Sequence, residues 1–254
     1  MLTDVGGYRL AATVRGNGPS AVFVSGLGEP GANWEPVLQR LTGPVRRITY
    51  DRAGIAGSDA AVNEHGPQPY RVVADELGRL LDRLGASSPL VLVGHSFGCL
   101  VARVFATRYP GRVGGLVLVE GSLPAMALWP GDGGPYADGD RSDARWIDAD
   151  AGACEMTSLP GPVPAVVLTR TPGRWTSPQA TADLDRSWRT YHERLAAELD
   201  ARHLMAIDGG HRLNAEAPAL VALAVDAVAA AAVGGGSVLL PADAVDASGG
   251  RLIR

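Results

Sequence analysis

Short apolar runs alternating with longer amphipathic stretches constrain what this chain can fold into more than any other feature. Ala21-Val22-Phe23-Val24, Arg47-Ile48-Thr49-Tyr50, Leu90-Val91-Leu92-Val93, Leu116-Val117-Leu118-Val119 and Ala165-Val166-Val167-Leu168 read as strands buried on both faces. His203-Leu204-Met205-Ala206-Ile207 is a weaker run of the same kind. Between them, apolar residues spaced three and four apart predict helices over Trp34 to Leu41, Tyr70 to Leu84, Phe97 to Tyr109, Gln179 to Leu199 and Glu216 to Ala232. Strands alternating with helices mean a mostly parallel central sheet covered by helices on both faces.

The 254 residues, 46% hydrophobic and 20% charged, are enough for one sizeable core, so a single domain over residues 1–233 is expected. Two segments break the alternation. Residues 121–162, at the carboxyl end of a strand, read as a lid insertion or as an ordinary excursion with aromatics tucked beneath it. Residues 234–254 begin with the linker-like Gly234-Gly235-Gly236-Ser237, after which Val238-Leu239-Leu240 either adds an edge strand or stays loose. A net charge of −4 supplies no basic field, which excludes nucleic acid as the expected partner. Cys99 and Cys154 suggest neither a disulfide framework nor a metal cluster, so free thiols and no metal or other cofactor are expected. The first residues lack a secretory pattern, and the apolar stretch from Ala217 to Val233 is interrupted by Asp226, so a cytoplasmic protein without membrane attachment is the expectation.

The chemistry is concentrated at Leu90-Val91-Leu92-Val93-Gly94-His95-Ser96-Phe97-Gly98, a buried strand that runs through Gly-x-Ser-x-Gly into a helix. Small residues two places either side of the serine permit a turn tight enough to lift its hydroxyl clear of the sheet. The turn also aims the amino end of the helix, with its N–H groups and dipole, at charge that develops there. Ser96 is therefore the candidate nucleophile. It needs a base, and of the five histidines His211 stands in the loop Ile207-Asp208-Gly209-Gly210-His211, between the last strand and the final helix. His95 is the variable position of the turn and is expected to point away; His65, His192 and His203 fall on a loop, a helix and a strand. Oxyanion donors are expected from the backbone N–H groups of Phe97 and of Leu27, the latter in the loop Ser25-Gly26-Leu27-Gly28, each worth about 3 kcal/mol of barrier.

These blocks together resemble the α/β-hydrolase superfamily from about Gly7 to Val233. Tyr50-Asp51-Arg52-Ala53-Gly54-Ile55-Ala56-Gly57-Ser58-Asp59 is similar to its Asp-Arg-x-Gly-x-Gly-x-Ser-Asp block, and Gly210-His211 with Glu216-x-Pro218 is similar to its histidine loop. The resemblance implies structural roles for Asp51 and Arg52. It also exposes two departures. Ser25 replaces the first histidine of the usual His-Gly-x-Gly, which spares the N–H donor. No carboxylate follows the strand Ala165 to Leu168, where many members carry the triad acid. A second arrangement places the acid at the end of the preceding strand, where Glu120 would otherwise be a charge ending a buried strand. Glu120 is the favoured acid, with Asp183, Asp143 and Asp148 as alternatives.

The leading function is serine hydrolysis of an ester, thioester or lactone of a small hydrophobic molecule. The same residues would also serve acyl transfer, cyclisation or carbon–carbon bond cleavage. A non-catalytic binding protein is the reading from another class. Leu123, Met126 and Trp129 are the candidate substrate contacts.

Overall fold

The computed structural model describes residues 1–61, 67–124, 147–174 and 182–254. The predicted strands form as β3 (Ser20–Val24), β4 (Arg46–Tyr50), β5 (Leu90–His95), β6 (Val113–Val119), β7 (Ala165–Thr169) and β8 (Arg202–Ala206). They lie parallel, flanked by antiparallel strands at both edges: β1 (Leu2–Asp4) and β2 (Arg9–Arg15) beside β4, and β9 (Gly250–Leu252) beside β8. The nine-stranded order is β1-β2-β4-β3-β5-β6-β7-β8-β9. The chain winds from β3 to one side and then to β5 on the other, so the carboxyl ends of β3 and β5 form the crevice where such sheets place their chemistry.

Alternation along each parallel strand divides the core in two. Val22, Leu92 and Leu116 face a cluster with Leu77 and Leu81 of α2 (Tyr70–Arg83), Leu100 of α3 (Phe97–Arg108) and Leu195 of α5 (Ala182–Glu198). Phe23, Val93 and Val117 face the other way, onto Val37 of α1 (Glu35–Leu38) and Val225 and Val228 of α7 (Pro218–Gly234). Two-sided burial is why these strands are continuously apolar rather than alternating.

Some boundaries differ from the sequence reading. The first predicted helix is a short 3₁₀ turn at Gly31–Trp34 followed by α1, and the last is split into α6 (Leu213–Glu216) and α7, because Pro218 lacks the N–H to continue a helix and starts a new one instead. The terminal segment does add an edge strand, but at Gly250–Leu252 rather than Val238–Leu240. Leu240 is buried against the α7 layer, α8 (Ala242–Ala247) follows, and β9 then pairs with β8. Of the segment read as a lid, residues 121–124 and 147–162 are described and contain α4 (Ala149–Ala153); residues 125–146 lie outside the described set. Among the described residues no helix is long and apolar enough to cross a membrane, and no group of His, Cys, Asp and Glu is arranged to hold a metal ion.

Candidate active site

Ser96 sits between β5 and α3 with φ 52° and ψ −120°, a backbone region that L residues rarely occupy. The turn closes only because Gly98 has no side chain: a Cβ there would lie 2.0 Å from the carbonyl oxygen of Val24. The main-chain N–H of Ser96 donates to the carbonyl of Val119. The side chain is 1% exposed, and its hydroxyl lies 3.0 Å from His211 Nε2 and 3.1 Å from the hydroxyl of Ser122.

His211 Nδ1 in turn lies 3.1 Å from Glu120 Oε2. Glu120 Oε1 accepts from the backbone N–H of Arg170 at 2.9 Å, and Oε2 from the Arg170 guanidinium at 3.0 Å. Glu120 is fully buried and its backbone is left-handed, φ 50°, which turns the side chain out of line with β6. Burial pushes its carboxyl up, but the hydrogen bond from His211, the electrostatic pull of the His192 and His211 rings and the Arg170 cation outweigh that and hold it at about 2. An ionised Glu120 fixes the tautomer of His211, with the proton on Nδ1 and the lone pair of Nε2 turned to Ser96. Burial pushes the imidazole of His211 below its ordinary value, against the pull of Glu120, so the ring is neutral and basic at neutral pH.

The structure thus brings Ser96, His211 and Glu120 into one hydrogen-bonded chain and leaves Asp183 and Asp148 out of it. Asp183 is exposed at the start of α5 and pairs with Arg186, while Asp148 caps α4 by accepting from Ala151 N–H at 2.9 Å. Asp143, Met126, Trp129 and His65 lie outside the described residues. Leu123 is half-buried next to Ser122. Neither the Leu27 nor the Phe97 backbone N–H has a hydrogen-bond partner among the described residues. Arg52 explains the aim of the first: its guanidinium holds the carbonyls of Ser25 and Gly26, and across a trans peptide this turns the Leu27 N–H to the opposite side.

Several partners escaped the sequence reading. The position after β7 that lacks an acid carries Arg170, the cation that pairs with Glu120 and also reaches Asp185. His192 Nε2 donates to the carbonyl of Gly121 at 2.8 Å, so its Nδ1 accepts from the Thr169 hydroxyl, which accepts from His203 Nε2. Burial lowers both rings, His203 to about 4, so this chain runs through neutral imidazoles. His95 does not point away: its Nε2 lies 2.8 Å from the carbonyl oxygen of His211. The sequence signal for Arg170, Thr169 and His95 is a polar or charged residue at the tip of a buried strand, while His192, in the interior of α5, carries none. Cys99 is buried at the start of α3 and Cys154 is exposed, both as free thiols.

A family model for the alpha/beta hydrolase fold matches residues 19–179. A protein named as a carbamate hydrolase, RutD, of Pantoea ananatis is 34% identical over 116 residues, covering 45% of this chain and 40% of that relative. A protein of Gibberella zeae named for the AB hydrolase superfamily is 37% identical over 91 residues, covering 34% of this chain and 28% of its own. The match therefore spans less than half the length of either relative. Among solved structures, an esterase from Thermogutta terrifontis superposes with a TM-score of 0.64 at 20% identity, over 86% of this chain and 92% of that one. The haloalkane dehalogenase DbeA from Bradyrhizobium elkani superposes with a TM-score of 0.69 at 18% identity, over 93% of this chain and 99% of that one. At these identities the likeness is one of fold.

Proposed function

The chain belongs to the α/β-hydrolase fold family, and from that premise we propose that it is a serine hydrolase cleaving an ester, thioester or lactone of a small hydrophobic molecule. The observation that carries this reading is the hydrogen-bonded chain from Ser96 Oγ through His211 to the buried carboxylate of Glu120. Ser96 attacks the carbonyl carbon while its proton passes to His211 Nε2, and Glu120 stabilises the imidazolium that results. The oxyanion is held by the N–H groups of Leu27 and Phe97, the latter at the amino end of α3. Collapse expels the alcohol or thiol, which takes the proton from His211. Water, deprotonated by His211, then releases the acid. With the proton of Ser96 turned to His211, the Ser122 hydroxyl donates to Ser96 Oγ and fixes its rotamer.

The identity of the nucleophile argues for acyl chemistry over the halide displacement named for one structural neighbour. A serine oxygen that displaced a halide from a saturated carbon would be left as an ether, which water does not cleave, whereas an acyl-serine is an ester that water does. The activities named for the carbamate-hydrolase relative and the esterase neighbour both involve a carbonyl carbon. Leu123, with Met126 and Trp129 beyond it, is assigned to the apolar part of the substrate. A fluorophosphonate probe should label the wild type covalently and fail to label Ser96→Ala, which should also lose several orders of magnitude of turnover on p-nitrophenyl esters. Labelling of Ser96→Ala at the wild-type rate would overturn the assignment.

A further inference from the structure

A second carboxylate and imidazole, Glu29 largely and His95 fully buried, adjoin the site. His95 Nε2 is 2.8 Å from the carbonyl oxygen of His211, which can only accept, so Nε2 carries a proton. His95 Nδ1 is 2.8 Å from Glu29 Oε2, and that same oxygen accepts from the Gly26 N–H at 3.0 Å. A ring protonated at Nε2 alone would turn a lone pair toward the carboxylate, whereas a doubly protonated ring donates at both ends. His95 is 1% exposed and Glu29 17%, so each charge is tolerable there only beside the other. Gly26 makes the room, since a Cβ would fall 2.7 Å from Glu29 Oε2 and 3.0 Å from His95 Nδ1.

We propose that Glu29 and His95 form a buried ion pair that holds the oxyanion loop and the base loop together and keeps His211 unprotonated into acidic pH. The inference rests on the roles given above to Ser96, Leu27 and His211. Glu29 grips the N–H one residue before Leu27, and His95 grips the carbonyl of His211 itself, so loops from distant parts of the chain share two side chains. The two imidazole rings are 5.1 Å apart, and a positive His95 opposes a second proton on its neighbour.

The other groups facing His211 are Glu120 after β6, which Arg170 after β7 holds in turn, Trp188 and His192 on α5, and Glu29 itself. Glu216 of α6 also reaches its loop, through the N–H of Gly210. His95 faces Glu29, His211, the more distant Glu120 and the Trp34 ring, which stands edge-on at 6.4 Å. Burial works against both charges of the pair, but mutual attraction prevails, holding Glu29 at about 2 and raising His95 above its ordinary value.

Two measurements on the whole chain test the pair. The first is the pH dependence of kcat and KM on a p-nitrophenyl ester for wild type, Glu29→Gln and His95→Gln, each checked for fluorophosphonate labelling. Glu29→Gln preserves shape, but the one atom that meets both the Gly26 N–H and His95 Nδ1 can then only accept or only donate, so one of the two hydrogen bonds is lost, and kcat should fall about tenfold with little change in KM. His95→Gln removes the positive charge and leaves Glu29 negative, so the acid limb of kcat/KM should move up by about one pH unit. Glu29→Gln removes the reason for the second proton on His95, neutralising both members, and should move the limb up by less. Loss of kcat with acid limbs unmoved, or moved down, would reduce the pair to packing. The second measurement is the nitrogen-15 spectrum of the His95 ring at pH 7, which does not depend on activity. Two ring N–H protons in the wild type and one in Glu29→Gln are expected; a singly protonated wild-type ring overturns the inference. Failure of the wild type to label would sink the hydrolase reading while the spectrum still decides the pair.

Discussion

Glu120 meets three demands at once, since its two oxygens serve His211, the Arg170 guanidinium and the Arg170 backbone. An amide in its place keeps one acceptor and presents an N–H₂ where an acceptor is needed. Glu120→Gln is therefore expected to lower kcat by up to about 10⁴-fold with little change in KM, while Asp183→Asn leaves kinetics unchanged. A stability loss without a kinetic one would reassign Glu120 to capping β6. Ser96, His211 and Glu120 were legible in the sequence because each ends or follows a recognisable buried strand, in the order that the resemblance to the α/β-hydrolase superfamily implies. Arg170, Glu29, His95 and Ser122 were not, because their meaning lies in which strand tips become neighbours. No local pattern around His95 says that the loop 116 residues later will offer it a carbonyl.

At the scale of elements, β4 and β8 begin with Arg46-Arg47 and Arg202-His203 and gave shorter apolar runs, whereas β3, β5, β6 and β7 were legible because two-sided burial leaves their interiors apolar. The edge strands were not. Arg9–Arg15 has one buried face and interrupted alternation, and the strands at Leu2–Asp4 and Gly250–Leu252 are each 3 residues long and depend on a partner already in place. The strand-to-helix turn at Ser96 is the element most tightly written into the sequence, and its tolerance can be measured. Gly98→Ala places a methyl against backbone that cannot rotate aside, so a loss of about 2–3 kcal/mol in a denaturant titration is expected, with turnover falling further as Ser96 shifts. Gly111→Ala, where a Cβ meets nothing within 4 Å, is the matched control and should be neutral. Equal stability of the two variants would mean that the close approach of α3 to β3 is not obligatory.

For the molecule as a whole, the buried ionised groups set the acid limit of the fold. Glu29 and Glu120 titrate near 2 when folded and near 4.5 when unfolded, so on acidification the unfolded chain takes up protons first. Their contribution is complete above about pH 4.5 and is lost as pH falls from there toward 2. His203, lowered from 6.5 to about 4, adds an earlier loss across that interval by the same sign. Thermal midpoints recorded from pH 7 to 2 should fall throughout, and Glu29→Gln should flatten the section below 4.5; a wild-type curve flat below 4.5 would contradict the buried charges. The way the sheet ends carries a practical consequence. The carbonyl of Arg254 accepts from the His203 N–H, that of Gly249 from the Ile207 N–H, and the chain leaving Ile207 reaches His211 within a few residues. An affinity tag placed at Arg254 therefore pulls on the strand that leads into the His211 loop, whereas one placed at Met1 pulls on its pairing with Ala12 of β2 at the opposite margin, which makes that side the safer handle for purification, immobilisation or display.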